Sequence, residues 1–173
     1  MSLYDLANRT TFLGVEFVTW LWFRSETQDG LFADLPGAGK NFELYFDDRL
    51  LVSALAVDCQ ENLYRGGLPA TSIEAKAALR AGKKAVEARI RIVRDEGEWS
   101  FLLKGPALAV SGVKVPAVLA PEDEECILER MTLIEDLDRM LRSLYRRFLE
   151  LRLGASWERS ELPALRQWIA TEG

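Results

Sequence analysis

The sequence predicts an α+β fold: an antiparallel sheet of about five strands with helices packed on it, one of them a long C-terminal helix. Three observations carry this. The stretch AVEARIRIV alternates, with Ala88, Ile90 and Ile92 on one face and Glu87, Arg89 and Arg91 on the other, the period-two mark of a strand. Between Pro121 and Gly154, Ile127, Ile134, Leu141 and Phe148 recur every seven residues with Leu137, Leu144 and Leu151 as companions, the mark of a helix. Near the start, EFVTWLWFRSE places two Trp and two Phe beside Glu16 and Thr19, three apart as on one helix face.

The first element, the aromatic helix of residues 1–30, centres on the apolar run Phe12–Phe23. That run is interrupted by Glu16 and Thr19 and is shorter than the roughly twenty apolar residues of a membrane span. It is expected to be a core helix or a subunit contact. The following QDGLFADLPGAGKN is a Gly/Pro-rich connection. Its GAGKN only partly resembles a phosphate loop, because Asp34 stands where the first Gly belongs and Asn41 where the hydroxyl belongs. A turn is expected there.

Residues 42–119 are expected to hold the sheet and one short helix. FELYF and LLVSALAV, Phe42–Phe46 and Leu50–Val57, read as a hairpin turning at Asp47-Asp48-Arg49. Thr71-x-x-Glu74 reads as a capping box for a helix of about ten residues, Ser72 to Ala81, stopped by Gly82. Asp95-Glu96-Gly97 turns the alternating strand into EWSFLLK, with Trp99, Phe101 and Leu103 inward. LAVSGVKV adds one more strand before Pro116.

Residues 121–170 are the helical part. Acids open the long helix and Arg146, Arg147 and Arg152 lie near its end, matching the helix dipole. Its apolar stripe, broken by Arg130, is read as core against the sheet, with a helix pair across a dimer as the alternative. The short helix Leu162–Ile169, with Trp168, follows.

The 173 residues, 49% hydrophobic and 28% charged, suit a single globular domain spanning 1–173. Cys59 and Cys126 stand in no metal-binding spacing and are expected to be free, buried thiols of a cytoplasmic protein. Met1–Ala7 is not basic and no small-residue cleavage site follows, so no secretory signal is read. The chain has no His, which removes Ser/His and Cys/His nucleophile pairs and the commonest zinc ligand. A metal-dependent exonuclease could draw only on Asp47, Asp48 and Asp58, which no motif ties together. No cofactor, metal or small-molecule substrate is called for, and the chain is not expected to be an enzyme.

Charge is uneven. Net charge is −5, yet residues 71–119 carry 9 basic and 5 acidic side chains, against 5 and 10 in residues 1–70 and 8 and 12 in residues 120–173. Within this basic island, Arg80, Lys83 and Lys84 surround Gly82, and Arg89 and Arg91 project from the polar face of the next strand, with Arg94 and Lys104 nearby. Such clusters bind phosphate backbones without reading sequence. The alternative is a solvated face whose arginines pair with Glu87 or Glu98. Arg139, Arg142 and Arg146 form a second line, expected to be a salt-bridged helix surface.

Three stretches, TSIEAKAALRAGKKAVEARIRI, EWSFLLKGPALAVSGVKVPAVL and ERMTLIEDLDRMLRSLYRRF, resemble the C-terminal part of the recombination-associated protein RdgC family. They cover about Phe42 to Leu151 and carry the likeness by order and spacing. The resemblance implies double-stranded DNA binding with little sequence preference, a ring-shaped homodimer, a role in tempering RecA-driven recombination, and a place in the nucleoid. It also brings the family's exonuclease label. Family members are longer, and their basic run ahead of the Thr-Ser helix reads YRGGLPA here, leaving Arg65. The expected DNA contacts are Arg65, Lys83, Lys84, Arg89 and Arg91. A protein-interaction or dimerisation module without DNA binding is the alternative, carried by the long helix and the aromatic first helix.

Overall fold

The computed structural model describes residues 3–27, 31–33, 35–54 and 60–171, with side chains described for all of these except residues 3–11 and Leu31. Helix α1 (Leu3–Thr27) runs first, followed by the short strand β1 (Leu31–Phe32). Then come β2 (Phe42–Ser53), β3 (Glu61–Arg65), α2 (Ile73–Arg80), β4 (Lys84–Arg94), β5 (Gly97–Lys104) and β6 (Ala109–Lys114). Helix α3 (Asp123–Leu153), a π-helical turn over Trp157–Glu161 and α4 (Leu162–Ala170) complete the chain. The fold is α+β. Its antiparallel sheet runs β1-β2-β4-β5-β6, and β3 shares the outer edge of β2 with β1, so six strands fill five lanes.

The aromatic run lies at the centre of the molecule. Val15, Phe17, Val18, Trp20, Leu21, Trp22 and Phe23 are each at most 4% exposed, so over Val15–Phe23 α1 is buried all round instead of along one stripe. On one side it meets the core face of the sheet, where Leu44, Phe46, Leu50, Ala88, Ile90, Ile92, Phe101 and Leu103 gather as the alternation predicts. On another it meets α3, with Phe17 and Trp20 against Phe148 at ring distances of 5.6 and 5.7 Å. Trp168 of α4 closes a third side, edge-on to Trp22 at 5.3 Å. Each such side chain contributes about 2–3 kcal/mol on leaving water.

Three sequence expectations are corrected. The hairpin at Asp47-Asp48-Arg49 is instead one continuous strand with a bulge: Phe46 pairs with Ile90 and Leu50 with Ala88, so β2 carries two extra residues. Two extra residues preserve parity, and Phe46 and Leu50 both keep facing the core. The rest of the second expected strand, at Leu55–Val57, lies outside the described residues. The cap of α2 is Ser72, whose Oγ accepts the Ala75 N–H at 3.0 Å. Thr71 is drawn into a 3-10 turn started by Pro69, where its hydroxyl donates to the Leu68 carbonyl at 2.8 Å. Cys126 is free but only half-buried, its thiol donating to the Ala120 carbonyl at 3.0 Å; Cys59 lies outside the described residues.

Other elements stand as predicted. Gly82, at φ +86°, ends α2 in a Schellman arrangement, with Lys83 N–H on the Ala78 carbonyl and Gly82 N–H on the Leu79 carbonyl. GAGKN begins in a turn over Leu35–Ala38, closed by Ala38 N–H to the Leu35 carbonyl at 3.0 Å. Among the described residues no helix is long and apolar enough to cross a membrane.

Helix α1 comes into close backbone contact with the 3-10 turn Gly105–Ala107 at Gly14. A Cβ on Gly14 would stand 1.9 Å from the Gly105 carbonyl oxygen, and no flexible side chain can yield there. Gly14→Ala is expected to lower unfolding free energy in urea by about 3 kcal/mol, the upper range of core overpacking. An unchanged midpoint would show that α1 and the turn can separate.

Candidate nucleic-acid interface

The sheet leaves its second face open, and Arg89, Arg91, Lys104 and Lys114 of the basic island lie on it. Here the bulge sets the geometry. Asp47, Asp48 and Arg49 of β2 face Arg91, Arg89 and Glu87 of β4 in antiparallel order. The Arg91 Nε donates to Asp47 at 3.1 Å, and the Arg49 Nε donates to Glu87 at 2.7 Å. Arg89 stands 3.5 Å from Asp48. Arg91 also lies 3.6 Å from Glu98 and stacks over the Tyr45 ring at 4.9 Å.

The five predicted DNA contacts therefore do not converge as one free patch. Arg89 and Arg91 belong to this cross-strand ladder. Lys83 is half-buried and donates to the Asn62 side-chain carbonyl, and Lys84 pairs with Glu16 of α1 at 3.2 Å. Arg65, exposed at the end of β3, and Lys83 have no carboxylate partner among the described residues. Arg94, further along β4, is held by Asp136 of α3 at 2.8 Å and lies over the Trp99 ring. The second line behaves as expected for two of its members, with Arg139 on Asp136 and Arg142 on Asp138.

What remains open is a groove of about 650 Å³ lined by Asp47, Asp48, Arg89, Glu98, Ser100 and Lys114, among others. Lys114 was not singled out in the sequence because it sits at the far end of β6, two lanes from Arg89. Its carboxylates and cations nearly balance, so the groove carries no strong field of one sign. The carboxylates of a metal-dependent nuclease do not assemble either: Asp47 and Asp48 engage arginines, and Asp58 lies outside the described residues. Among the described residues no group of three or more His, Cys, Asp or Glu could hold a metal ion. Burial raises the Tyr64 phenol above its ordinary range, helped by the charge of Glu74, and burial alone does so for Tyr145; neither faces this groove.

A second surface stands out on α3. Its C-terminal half is packed, with Leu137, Met140, Leu144 and Phe148 at most 3% exposed. Its first half is not: Ile127, Leu128, Met131 and Ile134 are 61, 64, 53 and 46% exposed. The heptad stripe read as core is thus core for half its length, and its cover is chiefly α1. Arg130 and Ile134 border a groove of about 390 Å³ with Val113–Val118, so the stripe is continuous with the end of β6. The first helix, the other proposed interaction element, is buried within the chain over its described side chains from Val15 to Phe23, except for half-buried Glu16.

Compared with known proteins, the chain matches no family model and no curated protein.

The ladder has a measurable strength. A double-mutant cycle over Asp47→Ala and Arg91→Ala is expected to give a coupling energy of about 1 kcal/mol in stability, as for a partly screened pair. Zero coupling would make the pairing incidental.

Proposed function

We propose that this chain is a protein-interaction module that self-associates through the first half of α3. The observation that supports this reading is the change of exposure along one helical stripe. Ile127 and Ile134 of the stripe stand in solvent with Leu128 and Met131 exposed beside them, whereas Leu137, Leu144 and Phe148 of the same stripe are fully packed. A contiguous exposed apolar surface of this kind marks an interaction site. The bulge in β6, where Gly112 at φ +59° adds a residue between Ser100 and Leu102 of β5, blunts the free sheet edge. Association therefore belongs to the helix stripe, not to strand addition. A second copy is the partner that repeats this stripe, and a two-fold helix pair buries both at once.

Light scattering at rising concentration tests this. The wild-type chain is expected to form a dimer by about 100 μM, a modest affinity for a small apolar patch. Met131→Glu with Ile134→Glu should leave a monomer with unchanged circular dichroism. A wild-type chain that stays monomeric throughout would overturn the proposal.

A second reading is the one the RdgC resemblance implies: sequence-nonspecific binding of double-stranded DNA in the nucleoid, bearing on recombination and RecA. One observation favours keeping it. The Arg89–Asp48 contact is long and Asp48 is 67% exposed, so a phosphate can compete for that arginine beside exposed Arg65, Lys104 and Lys114. On this reading log affinity falls linearly with log salt, and Arg89→Glu with Lys114→Glu abolishes binding while Arg91→Ala costs little. Absence of duplex binding at low salt with about 50 μM protein would remove it.

A further inference from the structure

Between α1, the end of α2 and α4 lies a slot of about 220 Å³, away from both surfaces described above. Its wall is apolar, built from Leu79, Trp157, Leu162, Leu165 and Ile169. Its rim carries Lys83, Lys84 and Arg166. The one carboxylate of the rim, Glu16, is already shared between Lys84 at 3.2 Å and Arg152 at 2.8 Å. Lys83 gives one proton to Asn62, and exposed Arg166 has no carboxylate partner among the described residues. The ammonium groups of Lys83 and Lys84 thus keep donors to spare, and the rim has a net positive charge that no described residue neutralises.

We infer that this slot docks an acidic peptide segment that carries one large apolar side chain. The volume suits a single leucine or phenylalanine side chain, and the cations stand where carboxylates flanking that anchor would lie. The apolar floor sets the slot apart from a phosphate-backbone site, which has no use for it. The reading goes beyond self-association and uses none of the residues of the α3 stripe, so each can fail alone.

Fluorescence anisotropy with the full chain tests the inference, using a fluorescein-labelled peptide of four aspartates followed by leucine and phenylalanine. Saturable binding is expected with a Kd of about 10–100 μM. Lys83→Glu with Arg166→Glu should weaken it at least about tenfold, the equivalent of a 1.4 kcal/mol change. Replacing the aspartates by asparagine, or the phenylalanine by serine, should weaken it similarly. Leu165→Asp tests the floor, with circular dichroism as the check on folding; the charge reversals lie on the rim and test the site without touching the core. No saturable binding at about 1 mM peptide would overturn the inference, as would equal binding by the asparagine peptide. Duplex DNA that competes as well as unlabelled peptide would assign the cations to phosphates, and decanoate binding without peptide binding would assign the slot to lipid; either overturns it.

Discussion

The structure depends on one constraint: a helix buried on every side must satisfy its polar groups inside the molecule. Helix α1 does so by tying them to β4, α2, α3, the π-helical turn and α4. Thr19 donates to the Val15 carbonyl and accepts the N–H of Ala85 at 3.1 Å, which fixes where β4 begins. Glu16 binds Lys84 of β4 and Arg152 of α3. Glu161, buried in the π-helical turn, accepts from the Trp20 indole at 2.6 Å and from Arg24 through both Nε and Nη2. Glu26 takes the indoles of Trp22 and Trp168 and the ammonium of Lys76. Removing one partner would strand a charge or donor in a medium that cannot solvate it. Among the described residues no buried side-chain nitrogen or oxygen lacks a partner.

That central helix explains why α3 is only half covered. At 31 residues α3 is about 46 Å long. Its Leu137–Phe148 section packs against the aromatic side of α1, and Trp99 of β5 donates its indole N–H to the Leu133 carbonyl at 2.9 Å, near the limit of contact. Beyond that point the helix is flanked by the 113–120 segment, where Glu129 accepts from the Leu119 and Ala120 N–H groups, and its apolar side chains stand in solvent. The same heptad pattern therefore has two environments.

Much of this was legible in the sequence. The strands β4 and β5 and their inward residues follow from strict alternation, and α3 and α4 from periodicity and the Gly154 stop, because these signals are local. What failed were statements needing knowledge of neighbours. Asp47-Asp48-Arg49 has turn composition, but complementary charges on β4 keep the strand straight through a bulge. Thr71 has the chemistry of a cap, but Pro69 takes it into a tighter turn. The basic island is a sum along the chain, whereas charges neutralise across strands. A count over residues 71–119 does not see that Asp47, Asp48 and Glu16, which lie earlier in the chain, sit against its cations.

The ladder between β2 and β4 has a consequence of its own. Sliding β4 by one two-residue step in one direction would set Asp48 against Glu87. The opposite slide would set Arg49 against Arg89. Either slip turns three attractive pairs into one attractive and one repulsive pair, although the alternating apolar face alone would accept both. The arginines that look like a hand held out to nucleic acid also work as the teeth of a key. They admit one alignment of the two central strands, and so fix which backbone amide meets Thr19 and where the whole sheet seats on the helix beneath it.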